Sequence, residues 1–401
     1  MTIGRWDSTA GTGAGDGGET NNFVFGRSDT RHRKAAGEPS LAKYRLACQQ
    51  DHGIGRHNED AGEAMARLNM RELALKLGVD RATVSRALSN DKAHLVAPAT
   101  RERIRQAAGA AGYRPDLTAA TLRRGRSHTV GILVSDLGNE TFIEVIRTIF
   151  RHLDARSDAP SITPLIAETL DQPDATRRLI HTFLSRRVDA IISLASTEAD
   201  TAILQDAARE VPVVLAIRAI AGAVFPSALC DDRAGGAMVA THFAERGHKI
   251  VCQVQGPPLS ATFKNRALGF SEVCASRSIV EMPQRIFAET ATSAAGKRTL
   301  DALLAVSPRP TAIFAHNDAL ALGVIEAMRH RGLRCPEDLA IVGFNNTQLS
   351  RILAVPLSTV DYPVEEVSRH AGELVRNLIA DPSYRFESRL FTPSLIVRAS
   401  S

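Results

Sequence analysis

The sequence predicts a small all-α head, then a larger α/β domain of two lobes, preceded by an N-terminal extension that belongs to neither. The stretch LALKLGVDRATVSRALSNDK, residues 73–92, has the pattern of two short amphipathic helices joined at Gly78. From Val130 onward, apolar segments of strand length alternate with amphipathic segments of helix length, which is typical of parallel sheets with crossover helices. About 270 residues of this pattern exceed one typical doubly wound sheet, so we expect two lobes.

The N-terminal extension, residues 1–64, shows no sustained helical or alternating pattern and contains 11 of the 28 glycines. This composition predicts disorder. The run MARLNMRELALKLGV starts at Met65, close to the first predicted helix, and we hypothesise that translation begins there and that residues 1–64 are not part of the native protein. The alternative is a real disordered arm whose RHRK at 31–34 adds nonspecific phosphate contacts.

Bulk composition predicts a cytoplasmic protein with no membrane partner. No apolar run approaches the roughly 18 residues of a membrane span, and MTIGRWDSTAGTG lacks the features of a signal peptide. The five cysteines are odd in number and lie mostly in apolar runs, which favours buried free thiols over a disulfide framework. We see no metal-ligand spacing and expect neither a metal nor another cofactor.

Positive charge is concentrated near the predicted helix pair. Residues 65–126 contain 13 Lys and Arg against 5 Asp and Glu, a local net charge of +8 in a chain whose total is +5. This asymmetry indicates a nucleic-acid-binding head on a neutral to acidic body, although a basic solvated surface is the simpler alternative.

The head is predicted to contain three helices, at 71–77, 81–88 and 100–111, the last closed by Gly112. Gly78 allows the tight turn and Ala74 allows the first two helices to approach closely. The outer face of the second helix then carries Arg81 and Arg86. Such a face fits the major groove of DNA, and an ordinary helical hairpin is the alternative.

Several ordered motifs carry a family resemblance. LALKLGVDRATVSRALSN, TRERIRQAAGAAGYRPD and LRRGRSHTVGILVSDLGN resemble successive signatures of the lactose-repressor (LacI/GalR) family of bacterial transcription regulators. RALGF, IFAHNDALALGVIEAMRHRGLRCPEDLAIVGFNN and LSTVDYP extend the resemblance to the C-terminus. It implies a helix-turn-helix DNA-binding domain at 65–114, a hinge at 115–126, and a two-lobed α/β, periplasmic-binding-protein-like domain at 127–401 for effector binding and dimerisation.

The resemblance also implies roles for DNA-binding residues. Arg81, Ala82 and Arg86 stand at base-reading positions, and Thr83 and Ser85 at phosphate-contacting positions. Ala82 can at most touch a thymine methyl, so the two arginines should carry most discrimination, with phosphate clamping as their alternative role.

The hinge is expected to form a short helix on DNA, where Ala119 and Leu122 meet the minor groove and Leu122 wedges between bases. Asp116 departs from the asparagine usual in the family, and the nearby arginines offset its charge.

Seven residues stand at positions that line the effector site in the family: Asp136, Asn139, Phe142, Arg218, Arg266, Asn317 and Asn345. They follow strand ends, where α/β clefts bind small ligands. Structural alternatives remain for several, since Phe142 could be core, Asp136 and Asn139 could cap the next helix, and Asp318 could be an N-cap.

Departures from the family pattern suggest the kind of effector. The resemblance implies a sugar or sugar derivative, but Ile217 and Asn345 stand where the family commonly has acids, whereas Arg218 and Arg266 remain. A pocket of net positive charge would follow, and with it an anionic effector such as a sugar acid or phosphosugar held by Arg266.

The function implied is a homodimeric repressor, with each head reading one half-site of a pseudo-palindromic double-stranded operator. The C-terminal LIVRASS shows no leucine heptads, so we expect no tail-mediated tetramer.

A two-lobed solute-binding protein or an α/β enzyme is the alternative. The missing signal peptide argues against the first. Missing phosphate-loop and GxSxG motifs argue against the second, and we expect no catalytic residues; His248 and His316 are interpreted as structural.

Overall fold

The computed structural model describes residues 69–89, 92–113, 126–154, 161–282, 286–305 and 307–401. The head consists of α1 (Met70–Leu77), α2 (Arg81–Ala87), a 3₁₀ turn (Ala93–Leu95) and α3 (Pro98–Ala110). The side chains of Leu73, Val84 and Ile104, one from each helix, are fully buried. They form the small core that locks the three helices together.

The three head helices begin and end within two residues of the predicted positions. Asn69 caps α1 through a capping box with Glu72, an arrangement that satisfies otherwise free backbone donors. Gly78 has φ of 63° and Gly112 has φ of 60°, the left-handed conformation that glycine adopts without strain. Both glycines therefore end their helices as the sequence predicts.

After the head, most strands are followed by a helix. The strands are β1 (Thr129–Val134), β2 (Thr163–Glu168), β3 (Ala190–Ser193), β4 (Val213–Ala216), β5 (Ser227–Cys230), β6 (Ile250–Gln255), β7 (Val280–Glu281), β8 (Ile286–Phe287), β9 (Ala312–Ala315), β10 (Ala340–Phe344), β11 (Ser358–Asp361), β12 (Arg389–Phe391) and β13 (Ser394–Ile396). The helices are α4 (Glu140–Leu153), α5 (Pro173–Ser185), α6 (Thr201–Ala207), α7 (Asp232–Glu245), α8 (Ala261–Ser276), α9 (Ser293–Ala305), α10 (Asp318–His330), α11 (Gln348–Ile352) and α12 (Val364–Ala380).

Two sheets define two lobes, as predicted. The N-lobe sheet has the order β12-β5-β4-β3-β1-β2 and is parallel throughout. The C-lobe sheet has the order β13-β11-β10-β9-β6-β7, with β8 also paired to β6. Only its edge strand β13 is antiparallel to its neighbour among the described strands. The apolar runs on which the strand prediction rests all lie in these sheets: VGILV, AIISL, VPVVLAI, KIVCQV, TAIFA and LAIVGF.

The chain crosses between the lobes three times. It passes from β5 to α7, from β11 to α12, and from β12 to β13. Because β12 pairs with β5 and β13 pairs with β11, all three crossings lie at the same edge of the two sheets. The edge strands β2, β7 and β8 lie at the opposite edge.

Glycines set the packing of the C-lobe helices. A methyl group at Gly236 of α7 would overlap the backbone of Arg266 in α8, and one at Gly269 of α8 would overlap the backbone of Arg233 in α7. Gly296 and Gly323 make the equivalent close contact between α9 and α10. Backbone contact within both helix pairs, α7 with α8 and α9 with α10, therefore fixes the distance between the paired helices.

No helix among the described residues is both long enough and apolar enough to cross a membrane. Cys230, Cys252 and Cys274 are buried free thiols and Cys335 is a partly buried one, which confirms the cysteine interpretation for these four. Burial raises the pKa of Cys252 to about 11 and that of Cys335 to about 12, so these thiols stay protonated at neutral pH.

Candidate functional site

The second helix of the head presents the predicted DNA-reading face. Arg81, Ala82 and Arg86 are exposed on α2, whereas Thr83 and Ser85 are partly buried. Val84 and Ala87 on the opposite face are fully buried. The helix is therefore anchored by its apolar face and leaves both arginines free to reach a duplex.

Thr83 has a structural role that the sequence did not predict. Its backbone N donates to Oδ1 of Asp80 at 2.8 Å, and its hydroxyl donates to Oδ2 at 2.6 Å. Asp80 is the N-cap of α2, and these hydrogen bonds lower the pKa of its carboxyl. Because the hydroxyl donates to Asp80, it can donate to a phosphate only if this second bond to Asp80 breaks.

The predicted hinge residues Ala119 and Leu122 lie outside the described residues, as do Asp116 and the whole extension 1–64. The minor-groove role of Leu122 and the start of translation at Met65 therefore remain predictions from the sequence.

A cavity of about 450 Å³ lies between strand ends of the two lobes. All seven residues predicted for the effector site line it: Asp136, Asn139, Phe142, Arg218, Arg266, Asn317 and Asn345. The volume falls in the range of small-molecule sites. The sequence therefore predicted residues that line the cavity. The hydrogen bonds and ion pairs of these residues decide what the cavity can bind.

Arg266 is held by protein groups on all sides. Its Nε donates to Oδ1 of Asp232 at 2.8 Å, and its Nη1 donates to the carbonyl of His316. The guanidinium lies 3.5 Å from the ring centre of Phe344. Burial raises the pKa of Asp232 to about 6, opposed by the charge of Arg266. The arginine therefore has an internal anionic partner in Asp232.

Arg218 is also paired internally. Its Nη1 contacts Oδ1 of Asp171 at 2.5 Å, and its Nη2 lies 3.2 Å from the hydroxyl of Ser135. The pair links two turns of unusual backbone, since Ile217 has φ of 67° and Asp171 has φ of 54°. A β-branched residue with positive φ is a genuine outlier, and such strain persists where surrounding contacts fix it. The Arg218–Asp171 pair supplies these contacts.

The expectation of a positively charged pocket is wrong. Two arginines line the cavity, but so do Asp136, Asp171 and Glu289, and Asp232 neutralises Arg266 from behind. Although acids are missing at positions 217 and 345, Asp171 and Asp232 provide carboxylate partners for the two arginines. Unpaired buried cations therefore give no reason for an anionic ligand.

Asn139 and Asn317 each cap a helix and also line the cavity. Asn139 caps α4 by accepting from the backbone N of Thr141 at 3.1 Å, and Asn317 caps α10 by accepting from the backbone N of Leu320 at 2.8 Å. The N-cap interpretation of Asp318 is wrong, because Asn317 occupies that position. Phe142 is 5% exposed and belongs to the core as well as to the cavity wall.

Asn345 is on a strained loop fixed by Asp318. Asn345 has φ of 112° and Asn346 has φ of 53°. Fully buried Asp318 accepts from the backbone N of Thr347 at 2.7 Å and from the hydroxyl of Thr359 at 2.6 Å. These bonds hold the loop that places Asn345 in the cavity. Burial raises the pKa of Asp318 to about 6, although the hydrogen bonds oppose the shift.

We expect Asp318→Asn to change how stability depends on pH. The raised pKa of Asp318 means that the folded chain binds an extra proton between about pH 4 and 6, so the contribution of this group to stability is present below pH 4 and lost as the pH rises through 6. The variant should therefore gain about 1–3 kcal/mol relative to the wild type between pH 4 and 7. Urea unfolding across this range measures the difference, with exposed Asp174→Asn as the control. Parallel curves for Asp318→Asn and wild type would show that the carboxyl does not titrate in this window.

Three hydroxyls of the cavity wall have no hydrogen-bond partner among the described residues. These are Oγ1 of Thr141, Oγ of Ser260 and the phenol oxygen of Tyr362, all fully buried. Burial raises the pKa of Tyr362 well above its ordinary value, so the phenol remains a neutral donor and acceptor. Sequence reasoning missed all three, although Tyr362 lies in the LSTVDYP motif.

His248 and His316 both make hydrogen bonds within the C-lobe. His248 contacts the hydroxyl of Thr311 through Nδ1 at 2.9 Å, and buried His316 contacts Oε1 of Gln253 through Nε2 at 2.8 Å. Both bonds are within the C-lobe framework, in line with their structural interpretation. Among the residues that the structure describes, no cluster of three His, Cys, Asp or Glu is placed to hold a metal ion.

Comparison with known proteins identifies both regions. The model of "Bacterial regulatory proteins, lacI family" matches residues 69–116, and that of "Periplasmic binding protein-like domain" matches residues 240–401. The HTH-type transcriptional repressor CytR of Escherichia coli K12 is 30% identical over 333 residues, which cover 83% of this chain and 96% of the relative.

Solved structures show the same architecture. A LacI family transcriptional regulator from Silicibacter pomeroyi is 26% identical with a TM-score of 0.71, covering 83% of this chain and 99% of that one. The lac repressor dimer bound to operator and the anti-inducer ONPF has a TM-score of 0.72 at 22% identity, covering 83% of this chain and 98% of that one. At this identity the second likeness shows the fold alone. The second head helix anchored by its apolar face, the cleft between the two sheets and the 30% identity to a repressor over 96% of its length agree. The chain belongs to the LacI family of bacterial transcriptional regulators.

Proposed function

We propose that this regulator represses transcription as a homodimer bound to a pseudo-palindromic operator, and that a small neutral sugar in the cleft controls its affinity for DNA. The domain division at 65–114, 115–126 and 127–401 is part of this proposal. The observation that carries the DNA-binding part is the exposed pair Arg81 and Arg86 on a helix whose other face is buried. CytR is itself a transcriptional repressor, which supports a regulator over an enzyme or a solute-binding protein.

Arg86 is proposed to read a base, whereas Thr83, Ser85, Ala119 and Leu122 contact phosphates or the minor groove. We expect Arg86→Ala to weaken binding to the specific operator by about 5- to 150-fold, because a bidentate contact to guanine contributes about 1–3 kcal/mol of discrimination. Fluorescence anisotropy measures this on a site selected from randomised DNA by the wild-type protein. Arg105→Ala, an exposed arginine of α3, is the matched control. Equal weakening on specific and random DNA would instead assign Arg86 to phosphate binding.

The dimer is proposed to form at the edge of both sheets that lies opposite the crossings. Large apolar side chains are exposed there, with Ile166 on β2, Val280 on β7 and Phe287 on β8. Exposed edge strands with apolar side chains readily pair with another chain, and the lac repressor is a dimer in the structure named above. A twofold arrangement would let each head reach one half-site.

Substitution tests this interface. We expect Ile166→Glu combined with Phe287→Glu to shift the protein from dimer to monomer in sedimentation velocity, since buried like charges would face each other across the twofold axis. Leu390→Glu, on the exposed edge strand β12, should leave the dimer intact. A dimer that survives the double substitution would place the interface elsewhere.

The effector is proposed to be neutral because both cavity arginines already have carboxylate partners. The buried hydroxyls of Thr141, Ser260 and Tyr362 lack partners among the described residues, and leaving such groups unbonded costs free energy. Sugar hydroxyls both donate and accept, which suits a cavity lined by residues with unpartnered hydroxyls, whereas an added carboxylate would find both arginines already paired.

Calorimetry tests the effector class with neutral sugars and the corresponding uronic acids and sugar phosphates. Binding of a neutral sugar that is tighter than binding of its acid supports the proposal. Tight binding of an acid or phosphate, with no binding of the neutral sugar, would restore the anionic effector that the sequence alone suggested.

A further inference from the structure

The chain enters the N-lobe at the amino end of β1. Arg126 is the first residue described after the head, and β1 begins at Thr129. The carboxylate of Asp189, just before β3, accepts from the backbone N of Ser127 at 2.8 Å and from that of His128 at 2.7 Å. The amino ends of the parallel strands β1 and β3 therefore lie together at the entry point, whereas the cavity lies at the other end of these strands.

Arginines are grouped at this entry point. Arg186 and Arg187 stand three and two residues before Asp189, and both are exposed, as is Arg126. Arg126 donates through Nη2 to the carbonyl of Ile379 at 2.7 Å. The guanidiniums of Arg186 and Arg187 have no hydrogen bond or ion pair with another residue that the structure describes. Since Asp189 is engaged by backbone amides, these two cations are available to an anion from outside the chain.

The backbone of Arg187 is in an unfavourable conformation. Its φ is 54°, in the left-handed region that glycine adopts without strain and other residues adopt at a cost. Glycine is the usual residue where a chain leaves a helix in this conformation, and Arg187 follows Arg186, the C-cap of α5. The fold therefore gives no reason for an arginine here, and strained residues of this kind are concentrated at functional sites.

The connection to the head keeps these arginines near DNA. Twelve residues, 114–125, join Tyr113 at the end of the head to Arg126. An extended chain spans at most 3.3–3.6 Å per residue, so the Cα atoms of Tyr113 and Arg126 are no more than about 45 Å apart. In a twofold dimer, the entry points of both N-lobes would lie between the two heads. The duplex between the half-sites is then the nearest polyanion.

We propose that Arg186 and Arg187 bind phosphates of the operator between its two half-sites, so that the N-lobe itself contacts DNA. This inference rests on the proposed operator binding and adds a second DNA-contacting surface outside the head. A guanidinium suits this partner, because its donors match two phosphate oxygens at once. Phosphate contacts carry no sequence information, so the surface contributes affinity and leaves base reading to α2.

The salt dependence of operator binding tests the proposal on the full chain. Arg186→Ser combined with Arg187→Gly is compared with Arg177→Ser combined with Arg178→Ser, two exposed arginines nearer the start of α5, so both variants lose the same charge. Fluorescence anisotropy on the selected operator is measured from about 50 to 200 mM salt. Each lost phosphate contact lowers the slope of log K against log salt by about 0.9. With four arginines in a dimer, we expect the slope to fall by about 3–4 in the first variant and to stay unchanged in the second.

Two further readouts separate phosphate binding from base reading and from folding. The first variant should keep the wild-type order of preference among operators with single base changes, because only phosphate contacts are lost. Arg187→Gly alone should not lower the melting temperature, since glycine suits the left-handed backbone. A lower melting temperature would instead assign the side chain to the fold and overturn the proposal.

The remaining outcomes distinguish this inference from the function on which it rests. An unchanged slope in the Arg186 and Arg187 variant, or an equal fall in the Arg177 and Arg178 variant, overturns the N-lobe contact and leaves operator binding standing. If the wild type prefers no selected site over random DNA, the proposed operator binding fails and this inference fails with it.

Discussion

Replacing Arg266 by alanine should lower the free energy of unfolding by about 3–5 kcal/mol at pH 7.5, because it leaves a buried carboxylate without its partner. Asp232 is 5% exposed and Arg266 is 3% exposed, and their Nε–Oδ1 distance is 2.8 Å. The substitution also removes the donor to the carbonyl of His316 and the cation that stacks on Phe344. Urea unfolding followed by circular dichroism measures the loss.

The cause of this loss can be checked with pH and a second substitution. Since burial already raises the pKa of Asp232 to about 6, the carboxyl is neutral below that value and then needs no cation. The destabilisation by Arg266→Ala should therefore shrink as the pH falls from 7.5 to 5. Adding Asp232→Asn should recover part of the loss at pH 7.5. A loss that is independent of pH and of Asp232 would mean that packing, rather than the ion pair, is responsible.

Replacing Gly269 by alanine should destabilise the C-lobe by about 3 kcal/mol or more, at the upper end of what overpacking costs. The added methyl would overlap the carbonyl of Arg233, which is backbone and cannot rotate away. Helices α7 and α8 must then separate, and these helices carry Asp232 and Arg266. We therefore expect weaker effector binding together with lower stability.

Thermal unfolding and ligand titration of Gly269→Ala measure both effects. Gly109→Ala in α3 is the control, because a methyl group there meets no atom within 4 Å, and alanine is the better helix former. It should leave stability unchanged or slightly raised. Unchanged stability in Gly269→Ala would show that the two helices do not pack as closely as the structure describes.

The sequence predicted those helices and strands whose pattern depends only on residues close together in the chain. The head helices follow from apolar spacing and from Gly78 and Gly112, which need only their own neighbours to act. The central strands, such as β1 and β10, are buried on both sides and read as continuous apolar runs. The edge strand β2, TPLIAE, was not predicted, because its side chains are largely or partly exposed and it includes Pro164.

The cavity residues could be placed, but their partners could not. A strand end is a position that sequence reveals, so Arg218 and Arg266 were assigned to the cavity. Asp171 is 47 residues from Arg218 and Asp232 is 34 residues from Arg266, and nothing in the local sequence says that they meet. The prediction of a positive pocket failed for this reason.

The three crossings between the lobes restrict how the cleft can open. Two bodies joined by one tether can swivel, twist and slide, whereas three tethers along a common edge leave mainly one freedom, a rotation about that edge. β2 and β8 lie farthest from this axis and therefore travel the longest arc for a given rotation. A small rotation at the proposed ligand site would therefore give a larger displacement at the far edge, where Ile166 and Phe287 are proposed to meet a second copy of the chain.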